Sequence, residues 1–473
     1  METSVGGKSL RSTMSWGFYI IQQGLKWFVG GGLLFLAPFA LLTSWGRRQW
    51  LFEWKNASLV RPEGKAWVAF EVASEGELEQ IRPLAEYFVE QIKKFNQQGG
   101  PPRYLELVFA SPSVEKKALA FGAKYPQEVF VARLPLLTWG PKIGGRQPLA
   151  AALQAPNVFF CRYDFYPHLL VWAAQKKHRA FLLSATLKNK LKGRGTIWYY
   201  QQLMQTFYHI VSATDESARW AQIKVTPEKV SVYDFRHRQI GQRLKNASAT
   251  LAARPGLAPF LEYLQAWPRE KRVIIGSAWP PELAVLKDPA WQTELQQGRW
   301  QLTIAPHQLK AAAVNNLRDI AEKELGFAPI VISPELGPDE VRQRLATRPS
   351  VVLLTVPGIL CEIYAFFTHA MVGGGYGRSI HSLLEPYWAN CIVYGGPKVF
   401  RSTEYDYVVQ NSSQWVHLLA KAADFYPCYL ARDMDDVAWM AEQQIRQQRA
   451  YAHQENFLLL AHNLLQSLRP LSV

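Results

Sequence analysis

Twice along this chain, short runs of β-branched and aromatic residues alternate with longer stretches whose apolar positions recur at helical spacing. That alternation constrains the fold more than any other feature. The first series opens with KAWVAFEVA at 65–73, which reads as a buried strand. It runs on into 77–95, where Leu78, Ile81, Leu84, Phe88 and Ile92 share one helix face. Further strands are expected at 104–110, 129–136, 158–164 and 180–185. A second series begins at Arg272, with strands expected at 272–277, 300–305, 329–333, 351–355, 370–373 and 391–394. Between the two, 245–270 carries Ala, Pro and Gly with no strand signal and reads as the hinge. The chain's last forty residues or so are helical in pattern and are expected to cross back to the first lobe.

Strands that alternate with helices predict a parallel sheet covered on both faces. A chain of 473 residues is also too long for one core of ordinary size. The expected class is therefore α/β, with two Rossmann-like doubly wound lobes and a cleft between them, because such sheets bind ligands at the carboxyl ends of their strands. The expected divisions are 1–47 as an amino-terminal anchor, 48–245 as the first lobe and 246–473 as the second.

The anchor is the run 27–45, which holds no charged residue and is broken by Gly30, Gly31, Gly32 and Pro38. At 1.5 Å per residue it nearly matches a hydrocarbon slab of about 30 Å. Trp27 and Trp45 close its ends, where indoles favour the membrane interface, and Lys26, Arg47 and Arg48 flank it. A cleaved signal peptide would need a small-residue cleavage site, which the run lacks. A buried soluble helix would not tolerate three successive glycines and a proline. The flanking charges fit both a spanning segment and one lying in a single leaflet.

Lys plus Arg number 53 against 38 acids, a net charge of +15. Such a surplus suggests an anionic partner such as a phosphate, a nucleotide or an anionic lipid surface; the alternative is a generally basic surface with no particular ligand. Cys161, Cys361, Cys391 and Cys428 lie far apart without a CxxC pair, which fits a reduced compartment and no zinc site.

The stretch MVGGGYGRSIHSLLEPYWANCIVYGGP at 371–397 is the most informative. An expected strand runs into Gly373, Gly374, Gly375 and Gly377, and a helix is expected to start near Ser379. Glycines let a backbone approach a ligand closely, and N–H groups at a helix start attract anions. His381 and Glu385 are four residues apart and share a helix face, where a carboxylate can accept both hydroxyls of a ribose. A structural glycine turn with a surface His–Glu pair is the alternative. A second feature, Ser74–Glu77 (SEGE), follows the first strand, and Glu77 would sit in the first helical turn. Sugar transfer needs a base near the acceptor hydroxyl, but acidic residues also favour first turns for dipole reasons. A third, RYDFYPH at 162–168, puts Asp164 at a strand's end, where most aspartates are caps or loop residues. Asp433-Met434-Asp435 matches the DxD pattern of metal-dependent sugar transferases, but it precedes a helical stretch and reads as a cap. No metal or other cofactor is expected.

In this order the pieces resemble the Kdo transferases of lipopolysaccharide assembly. That family carries a membrane-proximal amino terminus, an SxGE loop, an acidic-aromatic-Trp-Pro-Asn motif and a GGHNxLEP segment. Here they stand as 74–77, 164–168 and 380–386. The resemblance runs from about residue 16 to about residue 400. It implies the GT-B fold and inverting transfer of Kdo from CMP-Kdo to a lipid A precursor (lipid IVA) at the bacterial inner membrane, with the catalytic lobes on the cytoplasmic side and no nucleic-acid partner. By position, Glu77 matches the general base, while Asp164 and Arg236 match an acidic and a basic residue that steady the transition state. CMP contacts would fall on Pro306 and His307, on Pro357, Gly358 and Ile359, and on Ser382, Leu383, Leu384 and Glu385; Gly374, Gly375 and His381 would form the donor loop. Departures are present. Gln308 replaces the arginine of the family's PRH motif, Asp164 is shorter than the usual Glu, Tyr166 and His168 replace the Trp and Asn, and Thr355 replaces an Asp. Two alternatives stay open: a GT-B transferase using another sugar nucleotide on a lipid acceptor, and a catalytically silent membrane scaffold of the same fold.

Overall fold

The computed structural model describes isolated positions between 17 and 56. From residue 59 onward it describes all but 136–151, 163–166, 188–192, 401, 432–434 and 471–473. The chain divides into two compact units. One runs through Gln239 and takes up Glu455–Val473, and the other is Ile240–Gln454. The division falls ahead of the 245/246 boundary read from the sequence, and the end of the chain groups with the first unit.

The first unit holds a seven-stranded sheet in the order β3-β2-β1-β4-β5-β6-β7. Its strands are β1 (Lys65–Val72), β2 (Arg103–Phe109), β3 (Val129–Arg133), β4 (Asn157–Cys161), β5 (Arg179–Ala185), β6 (His209–Ser212) and β7 (Val230–Val232). Every pairing is parallel. Nearly every residue of β1 is buried, the pattern of a strand covered on both faces. On one face Phe159 of β4 stacks between Phe70 of β1 and Phe181 of β5, with centroids 4.9 and 4.5 Å away. Helix α1 (Glu75–Gln97) lays Leu78, Ile81, Leu84, Phe88 and Ile92 onto that face. The opposite face gathers Val158, Phe160, Leu182 and Ile210 around Phe18, which is 1% exposed and so belongs to the core rather than to a free tail.

The second unit repeats the plan with the order β10-β11-β9-β8-β12-β13-β14, again all parallel. Its strands are β8 (Arg272–Ala278), β9 (Gln301–Pro306), β10 (Ile330–Ile332), β11 (Val351–Leu354), β12 (His369–Val372), β13 (Ile392–Gly395) and β14 (Val416–Leu418). The 245–270 stretch has no strand, and it forms helices Ala247–Ala252 and Leu257–Gln265. These bury Leu251, Leu257, Phe260 and Leu264 in the second unit's core. The final helix, Asp436–Gln466, places Trp439 in a core cluster of the second unit and Phe457, Leu460 and Leu464 in one of the first.

The strand order reverses between β1 and β4 in the first sheet and between β8 and β12 in the second, where β11 also returns to lie between β9 and β10. Ligands of open α/β sheets bind outside the carboxyl ends of strands at such a reversal. Among the described residues no helix is long and apolar enough to cross a membrane. Most of 27–45, expected as an anchoring helix, lies outside the described residues.

Candidate functional site: two switch points and their carboxylates

At the first reversal, β1 gives way to α1 through Ser74, whose extended backbone makes it the N-cap. Ser74 Oγ accepts the Glu77 N–H at 3.3 Å, and Glu77 Oε2 accepts the Ala73 N–H at 2.7 Å. Serine thus holds a donor of the first turn, while Glu77 reaches back past the N-cap to hold the N–H of Ala73, just after β1. Glu77 is 1% exposed, so its carboxylate is fixed by the fold before any substrate is considered. Beside it β4 ends at Cys161, and Arg162 turns the chain with φ +57°. Arg162 Nε donates to Gln80 Oε1 at 3.0 Å, one turn beyond Glu77 on α1. Next along, Ser184 closes β5 with φ +52° and buries its hydroxyl. Left-handed backbone at non-glycine residues is costly, and here it recurs at adjacent strand ends. Asp164 and Tyr166 lie outside the described residues, as does the side chain of His168. Arg236 follows β7, the edge strand, and its guanidinium is gripped by Asp234, with Nε 2.9 Å and Nη2 2.6 Å from Oδ2.

At the second reversal the glycine segment sits at the end of β12. Gly373 N–H donates to the Gly276 carbonyl, and a Cβ on Gly373 would stand 2.0 Å from the Ser277 oxygen. Only a residue without a side chain fits between these strand ends. Gly374 has φ +91°, and its N–H donates to Glu282 Oε1 at 2.9 Å. The other oxygen of Glu282 accepts the Trp279 N–H at 3.0 Å, so one buried carboxylate ties the exit of β8 to the exit of β12. Burial pushes the Glu282 carboxyl up, and the N–H groups of Gly374 and Trp279 pull it back. Lys398 holds the outer loop, its Nζ 2.7 Å from the Gly377 carbonyl.

The short helix runs Leu384–Trp388 rather than starting near Ser379, so His381 lies in the loop before it and shares no helix face with Glu385; Ser382 and Leu383 lead into it at Leu384. Their donors are already engaged: Glu404 Oε2 accepts the Ser382 hydroxyl at 2.9 Å and the Leu383 and Leu384 N–H groups at 2.7 and 3.1 Å. The N–H group of Gly374 in the glycine segment and those of Leu383 and Leu384 at the actual helix start are therefore bound to the protein's own carboxylates.

Glu385 lies 3.8 Å from Arg243, whose guanidinium makes a two-pronged pair with Glu362 at 2.7 and 2.6 Å. Burial pushes the Glu385 carboxyl up to about 7; Arg243 opposes the rise, and Glu404 and Glu362 add to it. The exposed turn of Pro357 and Gly358 is held through its carbonyls, by Arg254 at 2.8 Å and Arg243 at 3.3 Å, while Ile359 is buried. Pro306 ends β9, and His307 donates its N–H to the Ala278 carbonyl at 3.0 Å. Thr355 N–H and hydroxyl both reach the Ile332 carbonyl. Asp435 accepts the Val437 N–H at 2.9 Å, as a cap does; Asp433 and Met434 lie outside the described residues.

The second unit thus brings His307, His381, Gly374, Glu385 and the 357–359 turn to strand ends on one side of its sheet. Sequence reading missed Trp279, Glu282, Arg243, Glu362 and Glu404. Glu282 and Glu404 act on residues 92 and about 20 positions away, so no local spacing signals them. The proline pair before Glu282 marks only a helical start.

No family model matches the chain, and no curated protein matches it in sequence. Among solved structures, the UDP-GlcNAc 2-epimerase from Neisseria meningitidis bound to UDP-GlcNAc is 11% identical, with a TM-score of 0.51 over 80% of this chain and 93% of that one. The chain shares that fold. The C-terminal CMP-Kdo binding domain of WaaA from Acinetobacter baumannii is 20% identical over 48% of this chain and 98% of that one, with a TM-score of 0.31. A glycosyltransferase from Rickettsia africae ESF-5 is 10% identical, with a TM-score of 0.47 over 85% of this chain and 97% of that one.

Proposed function

We propose that this chain is a glycosyltransferase that takes its sugar from a nucleotide, and that its reaction is inverting transfer of Kdo from CMP-Kdo to a lipid A precursor. The observation that carries the reading is the position of the glycine segment and IHSLLEP. They stand at the carboxyl side of β12, beside the reversal where such sheets bind ligands. The shared fold with an epimerase bound to UDP-GlcNAc supports a sugar nucleotide as ligand. The choice of Kdo and of a lipid acceptor rests on the sequence motifs, and attachment to the inner membrane rests on the run 27–45.

In this reading Glu77 takes the proton of the acceptor hydroxyl, whose oxygen attacks the anomeric carbon as the bond to CMP breaks. The bonding pair leaves with the CMP phosphate. Asp164 and Arg236 would steady the charge that develops, and Glu385 would accept the ribose hydroxyls. With the N–H groups at 374 and 383–384 occupied, side-chain donors carry more of the phosphate recognition than a bare helix start would.

A second reading, transfer from a different sugar nucleotide, is favoured by Gln308 and Thr355, which depart from the family pattern at donor-contacting positions. Thermal denaturation with CMP, UDP and GDP separates the readings, because a ligand stabilises the state that binds it. CMP should give the largest rise in melting temperature. A larger rise with UDP or GDP would select the second reading, and no response to any of the three would favour a silent scaffold.

A further inference from the structure

Three strands of the second sheet each deliver one ring to the same place: Trp279 follows β8, His307 follows β9, and His381 follows the glycine loop after β12. Trp279 and His307 stack with centroids 4.6 Å apart and 25° between planes; His307 and His381 stack at 4.3 Å and 13°. Trp279 Nε1 lies 3.2 Å from His381 Nε2. An indole nitrogen only donates, so Nε2 is the acceptor and the proton of the neutral imidazole sits on Nδ1.

The surrounding backbone fixes this arrangement. Glu282 binds the Trp279 and Gly374 N–H groups together, and His381 N–H donates to the Gly373 carbonyl at 3.0 Å. A Cβ on Gly374 would stand 3.0 Å from the His381 ring and 2.4 Å from the Ser379 carbonyl, so the ring rests directly on the glycine backbone. Burial lowers the pKa of both histidines, and the stacked His307 lowers that of His381 further, which keeps the pair neutral near pH 7. Among the described residues none accepts the His381 Nδ1–H, and the ring lies at strand ends beside the reversal, where a ligand is expected.

We infer that Trp279 is a positioning residue: it holds His381 as the Nδ1–H tautomer, which donates a hydrogen bond to an oxygen of a bound sugar nucleotide. The ligand class rests on the function proposed above, while the tautomer rests on the ring geometry alone. A neutral donor of fixed direction selects by position rather than by charge, so it discriminates among sugar nucleotides that carry the same phosphates.

Histidine-selective nitrogen-15 NMR on the full-length chain reads the tautomer directly, with His381 assigned by the signal lost in His381→Asn. Wild type should show the Nδ1–H form. Trp279→Phe keeps the stack on His307 but removes the indole donor, so it should shift His381 toward a tautomer mixture. It should also weaken CMP binding about fivefold by calorimetry, the scale of one neutral hydrogen bond. An Nε2–H imidazole in wild type overturns the inference without any variant having to fold. So does an unchanged tautomer in a folded Trp279→Phe protein. A shifted tautomer with unchanged affinity for CMP, UDP and UDP-GlcNAc overturns the ligand contact. If wild type binds none of the three, the proposed function and the ligand contact fall together, and the tautomer result still stands by itself.

Discussion

One carboxylate oxygen of Glu404 accepts the backbone N–H of Leu383 at 2.7 Å, and the same oxygen also takes the Leu384 N–H and the Ser382 hydroxyl. Glu404 thus fills the start of the Leu384–Trp388 helix from inside the protein. Three donors converging on one oxygen make this a folding contact first, because the Leu383 and Leu384 N–H groups would otherwise be buried without a partner. Glu404→Ala should destabilise the second unit by about 1–3 kcal/mol, the usual cost of stranding buried donors. Glu404→Gln, which retains an acceptor oxygen, should cost less. Chemical denaturation of the two variants checks the order.

Much of this was legible in the sequence, and the limits have physical causes. The longer strands are runs of apolar residues buried on both faces, so β1, β4 and β8 stand out by pattern. Strands β6, β7 and β14 carry no such signal: each is three or four residues long and holds a serine or histidine, too little for any period to register. SEGE and the glycine segment were found because caps and glycine turns are local grammar. Glu282, Glu404 and the ring stack join residues distant in sequence, and only the sheet's order of strands brings them together.

Glu77 has two separable jobs. As a cap it holds the Ala73 N–H, and in the proposed reaction it removes a proton. Glu77→Gln keeps an acceptor oxygen for the cap but is a far weaker base, so the fold and nucleotide binding should persist while transfer falls by ~10²–10⁴-fold. Glu77→Ala should lose the cap as well, at about 0.5–2 kcal/mol. Transfer rates and melting curves measured on both variants separate the roles. Activity of Glu77→Gln within threefold of wild type (a bound set well below about 10²-fold) would remove Glu77 from the mechanism.

Glu385 gives the pH dependence a definite sign. Its folded pKa is raised from the ordinary 4.5 to about 7, so ionising it costs stability. That contribution is full below about pH 4.5 and is lost as the pH rises through 7. A ribose diol donates to the ionised carboxylate, so nucleotide binding should pull the proton off and CMP affinity should rise between about pH 6 and 8. Glu385→Gln should remove that rise, leaving only the dependence due to the nucleotide's own phosphate. Glu385→Ala should weaken binding by about 1.5–3 kcal/mol, the worth of a charge-assisted bond. Calorimetry at several pH values checks both, and equal slopes for wild type and Glu385→Gln would dismiss the ribose contact.

The membrane proposal needs a variant that spares Phe18. This ring is buried in the first unit, packs against Tyr199 at 5.6 Å and Trp198 at 6.2 Å, and belongs to the same cluster as Phe160 and Leu182. Removing residues 1–46 would therefore empty a core position, at about 3–5 kcal/mol for a phenylalanine, and would confuse unfolding with release. Point changes inside the uncharged run avoid this. Leu34→Asp with Leu36→Asp places two charges in the stretch that would enter hydrocarbon, at roughly 2.5–3.5 kcal/mol each near the centre of a spanning helix. The doubly substituted protein should move largely to the soluble fraction while keeping its wild-type melting temperature, whereas Phe18→Ala should stay membrane-bound and melt lower. A net charge of +15 can hold some protein on anionic headgroups, at ~1 kcal/mol per Lys or Arg near the surface, so fractionation is done at low and high salt. Residual binding that salt removes would mark a basic docking face. Retention of the doubly substituted protein at high salt would show that 27–45 is not what attaches the chain.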